Sequence, residues 1–412
     1  MSYTVAFFRH YSVFTNLQYI QPEISYIAWL IILYMIFAHN LTTPLYIATQ
    51  EEVQCLVDAL RAEKQIAVDT ESDSLYVYQE KVCLIQFSTP NHDYLVDPLS
   101  EIDVSPLGSV FSDPSVEKIF HAAEYDVICL RRDYGFNFNN LFDTMQAARV
   151  LGLPKLGLSS LLEEYFSVVV NKRYQKANWG KRPLPQEMLD YARLDTHYLI
   201  PLRKILNSEL EKIDRLKVAE EDFIRISHSC ATQNEKPCYM AVRGYHTLNP
   251  QQLAVLNELC TYRERRAFQA NLPPFKVLSS TVLFEAARQA PSTKEELASL
   301  PGLSEKLLHR HAAGLLEAIT LGQNQPPIYL NHRVKPSEAY IMRLENLKKW
   351  RRQCAREKGV ESDVVLSREI VEEIAKANPQ NDHELAELMQ EMPERFRLYH
   401  QFILNALHGE NS

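Results

Sequence analysis

An α/β domain with a mixed sheet and flanking helices, followed by two all-α modules, is the fold class that this 412-residue chain predicts. Three observations carry it. From Pro44 to about Leu158, short apolar runs and helical periodicities follow one another as strand, helix, three strands, then strand–helix pairs. Beyond Leu158 the strand signals stop. Two later stretches, Asn249–Gly322 and Pro336–Gly409, are alike in size and layout and read as a divergent tandem pair.

The elements follow in order. Leu45–Ala48 reads as a short strand. Thr49 with Glu52 three residues on is a capping box, and the helix behind it runs to about Ala62, with Val53, Leu56, Val57 and Leu60 at helical spacing. Gln65–Thr70 is an apolar strand that ends in carboxylates. Val82–Ser88 and Tyr94–Val96 are strands separated by a Thr-Pro-Asn-His-Asp turn. Glu117–His121 is a strand, and a helix spans about Glu124 to Tyr134. Pro183 and Pro185 precede a helical stretch from Gln186 to about Leu216. The divisions are an N-terminal extension over 1–43, an α/β domain over 44–216, a linker over 217–246, a helical module over 247–322, a second linker over 323–335 and a second module over 336–410. Pro273-Pro274 is a breaker inside the first module.

Composition limits the function classes. Charged residues are 23% and hydrophobic residues 46%, a globular balance. The net charge of −8 excludes a wholly basic coat protein but leaves room for local basic patches. Seven scattered cysteines imply no disulfide framework and fit a reducing cytoplasm. The apolar run Ile24–Ala38 is shorter than the ~18–20 residues a bilayer span needs. It has three readings: a dispensable extension upstream of a true start at Met35, an interfacial membrane anchor, or a packed helix. A membrane partner is expected only if that segment is expressed. There is no phosphate-loop motif and no Gly-x-Ser-x-Gly elbow. His228, Cys230, Cys238 and His246 fit no compact zinc spacing.

The carboxylates point to chemistry. Asp69 and Glu71 are i and i+2 on a strand, so they share a face. Asp126 sits at the start of a helix that follows a strand. Tyr191 and Asp195 are i and i+4 on one helix face. Four gathered carboxylates repel, and divalent cations relieve that repulsion; oxygen ligands favour Mg²⁺ or Mn²⁺. Two such ions suit in-line phosphoryl displacement. Tyr191, with an ordinary pKa of ~10, is more plausible as an orienter of water than as a base.

Read together, VDTESD (68–73), HAAEYD (121–126) and YARLDTHYL (191–199) resemble the three exonuclease motifs of the tyrosine-bearing branch of the DEDD superfamily. CLIQF (83–87), LFDTMQAA (141–148) and WGKRPL (179–184) narrow the resemblance to ribonuclease D, and the helical modules resemble its HRDC domains. The resemblance implies a ribonuclease-H-like fold and a 3′→5′ exoribonuclease that releases nucleoside 5′-monophosphates. It also implies trimming of tRNA precursors and other small structured RNAs. Carried over by motif, Asp69, Glu71, Asp126 and Asp195 would hold two divalent ions, and Tyr191 would position the water. A DNA 3′→5′ exonuclease and a catalytically silent RNA-binding protein are the alternatives. No obligate protein partner is evident.

Substrate contacts are expected from the loop Asn171–Pro185, where Lys172, Arg173, Lys176, Lys181 and Arg182 interleave with Tyr174 and Trp179. A solvated loop is the competing reading. Arg263 and Arg266 in the first module, and Lys349 and Arg352 in a stretch with seven basic residues against two acids (343–358), are expected to grip RNA phosphates. Residues 300–304 (LPGLS) read either as a phosphate-binding turn or as a plain helix–helix turn. Gln86, Phe87 and His121 are candidates either for the nucleotide pocket or for sheet filling. Asp143 is either a fifth site carboxylate or a helix N-cap.

Overall fold

The structure, a computed structural model, describes residues 43–230, 236–330 and 336–409. The apolar run Ile24–Ala38, with Met35, lies outside the described residues. Every element below belongs to the unit that begins at Pro44.

Six strands form one mixed sheet: β1 (Leu45–Ile47), β2 (Gln65–Ser72), β3 (Val82–Ser88), β4 (Asp93–Val96), β5 (Glu117–Phe120) and β6 (Leu141–Asp143). Their order is β1-β4-β3-β2-β5-β6. β2 and β3 are antiparallel, with Asp69 opposite Gln86 and Glu71 opposite Leu84, and the register slips after Glu71. On its other side β2 pairs in parallel with β5, but only through Gln65–Ala67. The carboxylate-bearing end of β2 therefore runs past β5 and leaves room beside it. β3 is buried along its whole length, as a central strand covered on both faces must be. Gln86 and Phe87 are fully buried in it, and Phe87 packs on Phe111. They fill the sheet and do not line the cleft described below.

The helices of this part are α1 (Gln50–Arg61), α2 (Gly108–Phe111), α3 (Glu124–Tyr134), α4 (Thr144–Leu151), α5 (Leu158–Phe166), α6 (Gln186–His197), α7 (Leu199–Lys212) and α8 (Leu216–Ser227). The capping box on α1 forms: the Glu52 amide donates to Thr49 Oγ1 and the Thr49 amide to the Glu52 carboxylate. Asp143 is a helix cap. Its buried carboxylate accepts from the backbone N–H of Met145 and Gln146, which begin α4, and from those of Ala122 and Ala123, which lead into α3. Four donors on one carboxylate tie two helix N-termini to the sheet.

The helical half repeats itself. α9 (Pro250–Ala270), α10 (Pro274–Val277), α11 (Ser280–Gln289), α12 (Lys294–Ala298) and α13 (Glu305–Asn324) form one set. α14 (Glu338–Lys358), α15 (Ser362–Val365), α16 (Arg368–Ala377), α17 (Asp382–Leu388) and α18 (Pro393–His408) form the other. Ser279 and Ser367 cap the third helix of each, and Ala290 and Asn378 end it in the left-handed conformation. Each set closes its own apolar core. Among the described residues, no helix is long and apolar enough to cross a membrane.

Much of the described part of the linker expected over 217–246 is helical. α8 occupies its first residues and packs Phe223 on Phe142 of β6, with ring centroids 4.6 Å apart. Tyr239 and Val242 are buried in the core of the first helical set. The linker over 323–335 is shorter too, since α13 runs to Asn324 and Ile328 packs on the same core. Apolar residues placed between polar ones carried these segments into the body. α8 is tied to the second helical set by charge: Arg395 lies 2.8 Å from Glu221 and 2.8 Å from Asp222, with Arg395 and Glu221 buried. Removing one partner strands the other charge away from water. Arg395→Ala is therefore expected to cost about 3–5 kcal/mol, read as an earlier unfolding midpoint in urea; an unchanged midpoint would contradict it.

Candidate active site

The site forms where β2 outruns β5. Asp69 and Glu71 leave the same face of β2, and α6 lies across β2, β3 and β4 with Tyr191 and Asp195 one turn apart. Carboxylate oxygens of Asp69, Glu71 and Asp195 lie within 4.8 Å of one another. Asp126, in the first turn of α3, accepts a hydrogen bond from the Thr70 hydroxyl, which places it beside the strand between the other two acids. All five residues named from sequence thus converge from three stretches of chain. Asp69, Glu71, Tyr191 and Asp195 open onto a cleft of about 460 Å³, also lined by Thr70, His121, Gly157, Leu158, Ser159, Lys172 and Gln175, while Asp126 stands beside it and is not part of its lining.

The acids suffer from their own company. Burial, then the charges of Asp126, Asp195 and Glu71, hold the Asp69 carboxyl well above its ordinary range. Burial and the charges of Asp195 and Asp126 do the same to Glu71. Burial pushes Asp126 up to about 7 against the opposing hydrogen bond from Thr70. Asp195 is pushed up to about 7 by burial, against the hydrogen bond that Tyr191 donates to it. Burial and the Asp195 charge raise Tyr191 as well, so it remains a phenol at neutral pH. An all-oxygen set whose members each favour the neutral form is what a hard divalent cation satisfies. The residues present fit such a group.

Comparisons with known proteins place the chain in a family. A 3′-5′ exonuclease family model matches residues 44–211, and an HRDC domain model matches twice, at 252–319 and 341–407. Ribonuclease D of Desulfotalea psychrophila is 30% identical over 296 residues, covering 71% of this chain and 79% of that protein. The chain belongs to the ribonuclease D family. The crystal structure of Escherichia coli RNase D superposes with a TM-score of 0.67 at 27% identity, covering 90% of this chain and all of that one. Protein RRP6-like 2 of Arabidopsis thaliana is 33% identical over 288 residues, covering 66% of this chain and 33% of that protein. The chain spans less than half the length of the RRP6-like relatives it matches.

Around this ribonuclease D centre, the substrate residues expected from sequence divide into two groups. Lys172, Arg173, Lys176 and Lys181 are exposed, and Lys172 reaches the cleft. Lys349 and Arg352 are exposed and line a separate hollow of about 520 Å³ with Arg356. Arg266 is half-buried and donates to Gln269.

Three expectations are corrected. Trp179 is 1% exposed and packs on Tyr191, so it has no face to offer a base. Arg182 makes two 2.6 Å bonds to buried Asp97 and donates to the carbonyls of Trp179 and Cys83, so its guanidinium is spent inside the protein. Arg263 is buried and reaches Ser280 Oγ at 3.3 Å. Arg351, at the same position of the second opening helix, donates to the Leu366 carbonyl. Arg263 thus ties down the first residue of the third helix of its set, and Arg351 the loop that precedes the third helix of the other. The turn at 300–304 ends with Ser304 capping α13, a helix–helix turn.

Gly157, Leu158 and Ser159 were not among the expected site residues. They begin α5, whose N-cap Gly157 offers no side chain and therefore left no capping signal. Among the described residues, His228, Cys230, Cys238 and His246 form no metal-ligating group.

Two outcomes follow from this geometry. A carboxyl titrating near ~3.9 when unfolded and near 7 when folded binds its proton more tightly in the fold. It therefore subtracts stability as pH rises from about 4 to about 7, and fully above. With divalent ions chelated, Asp195→Asn should raise the melting temperature at pH 8 and leave it nearly unchanged at pH 4; equal shifts at both would contradict the repulsion. Arg182→Ala should lower kcat while RNA affinity stays within about twofold, because it loosens Trp179 behind Tyr191. A phosphate-binding arginine would instead weaken binding and reduce the salt slope by about one.

Proposed function

We propose that the protein is a 3′→5′ exoribonuclease that removes extra 3′ nucleotides from tRNA precursors and other small structured RNAs. The observation that carries this reading is the convergence of Asp69, Glu71, Asp195 and Tyr191 on one cleft, with Asp126 held beside them by Thr70. Its relative of established structure, Escherichia coli RNase D, is described as an exoribonuclease involved in structured RNA processing.

In this reading the four carboxylates hold two divalent cations, Mg²⁺ or Mn²⁺. Such ions supply charge neutralisation at the phosphodiester and acidify the attacking water. The protein's own part is positioning. Tyr191 remains protonated, so it orients the water and does not abstract its proton. Its ring is held between Tyr174 and Trp179, with centroids 5.9 and 6.2 Å away. The water oxygen bonds to phosphorus, the bond from phosphorus to the 3′ oxygen breaks, and that oxygen takes up a proton. The products are a nucleoside 5′-monophosphate and an RNA shorter by one residue.

Lys172, Arg173 and Lys176 follow the phosphates of the single-stranded end, and Lys349 and Arg352 engage the backbone of the folded body. All seven cysteines are unpaired, which supports a reducing, cytoplasmic setting.

The test is incubation of the purified protein with 3′-extended tRNA and with single-stranded DNA, each with and without Mg²⁺ or Mn²⁺. Nucleoside 5′-monophosphates should leave the RNA end only when the ion is present. Asp69→Asn should abolish turnover and leave RNA binding largely intact; substantial hydrolysis by that variant would overturn the site assignment. Lys349→Ala with Arg352→Ala should weaken binding alike for all RNA sequences and flatten its salt dependence by about one per lost phosphate contact.

A further inference from the structure

One polar group in the cleft plays no part in holding cations. His121 follows the last residue of β5 and lines the same cleft as the carboxylates. Its Nδ1 lies 2.9 Å from the Thr144 hydroxyl. That hydroxyl has a single proton, and it donates to the Phe120 carbonyl at 3.0 Å. A carbonyl oxygen only accepts, so the Thr144 oxygen faces the imidazole with lone pairs. Nδ1 must then carry the ring proton, and Nε2 is left as an acceptor. Among the described residues no hydrogen-bond donor meets Nε2.

The ring is also uncharged. Burial pushes its pKa down to about 4, so it stays neutral through the physiological range. Thr144 is itself fully buried at the first position of α4, behind the Asp143 cap, which fixes the orientation of the pair.

We propose that His121 is a substrate-contacting residue whose Nε2 accepts a hydrogen bond from a ribose hydroxyl of the 3′-terminal nucleotide. This rests on the exonuclease reading above and deepens it. The chemistry selects the partner. Phosphate oxygens are acceptors and give Nε2 nothing. Base N–H donors sit at different atoms in different bases, so they would make trimming depend on sequence. The sugar hydroxyls are donors common to every ribonucleotide, and the 2′-hydroxyl is the group that separates RNA from DNA.

The experiment is single-turnover release of the first nucleotide by the full chain with Mg²⁺. The substrates are single-stranded RNAs of one sequence ending in a ribo-, 2′-deoxy-, 2′-fluoro- or 3′-deoxynucleotide. Removing the hydroxyl that His121 reads should slow release about 3- to 10-fold, the worth of one neutral hydrogen bond. If the 2′ position is the one read, fluorine should behave as hydrogen does, because it cannot donate. The factor should be the same for all four terminal bases. His121→Phe should lose that factor on the ribo substrate and treat the deoxy substrate as the wild type does. His121→Gln, which keeps an acceptor, should recover part of it.

Equal rates by the wild type on all four ends would overturn the inference and leave the exonuclease reading intact, and that result needs no variant to fold. So would a preference for ribose that survives in His121→Phe, or a loss that changes with the terminal base. Release from none of the four substrates would overturn the exonuclease reading, and this inference with it.

Discussion

Burial of Asp69, Glu71, Asp126 and Asp195, followed by their mutual repulsion, is the constraint that the catalytic half is built around. Left to themselves these side chains would separate or take up protons. The fold denies them the first option. β2 sits inside the sheet, and its ladder with β3 pairs Asp69 with Gln86 and Glu71 with Leu84, so neither can swing away without breaking that ladder. α6 is pressed onto β2, β3 and β4, which fixes Asp195 opposite them. Asp126 is fastened through Thr70. Affinity for divalent cations is the counterpart of that enforced proximity.

The supporting structure shows how buried polar groups are made tolerable. Asp143 is surrounded by four backbone N–H groups, and Asp97 by the fork of Arg182 and the Tyr46 hydroxyl at 2.5 Å. Neither carboxylate faces the cleft. They hold the elements that do: Asp143 sets the start of α3, and the Asp97–Arg182 pair holds the loop that carries Trp179 against Tyr191. Asp97 and Asp143 have partners inside the protein, whereas burial and neighbouring charges hold the central carboxyls above their ordinary range. This contrast distinguishes a working site from a structural one.

The two helical sets reuse one solution. In each, a 21-residue helix opens the set, a one-turn helix follows, and an arginine at the same place in the opening helix bonds to the first residue of the third helix or to the loop before it. The surfaces diverge where the cores agree. Only the second opening helix presents exposed Lys349 and Arg352 beside Arg356 over a hollow.

Local chemistry was legible in the sequence. The Thr49–Glu52 box, the β3 strand at Val82–Ser88 and α3 at Glu124–Tyr134 depend on residues within a few positions of one another, and they formed where the pattern placed them. Strand spacing of two paired Asp69 with Glu71 and helix spacing of four paired Tyr191 with Asp195, but that these belong with Asp126 to one candidate site was implied by the resemblance of their motifs to those of ribonuclease D. What the chain could not announce was which basic and aromatic side chains meet solvent. Trp179, Arg182 and Arg263 read like their neighbours Lys172 and Arg266. Asp97, which claims Arg182, lies 85 positions away in the chain. The tautomer of His121 was equally hidden, since it depends on a hydroxyl 23 residues distant. Neighbouring residues determine periodicity and capping, whereas the partner of a charge or a lone pair is decided only when remote segments pack together.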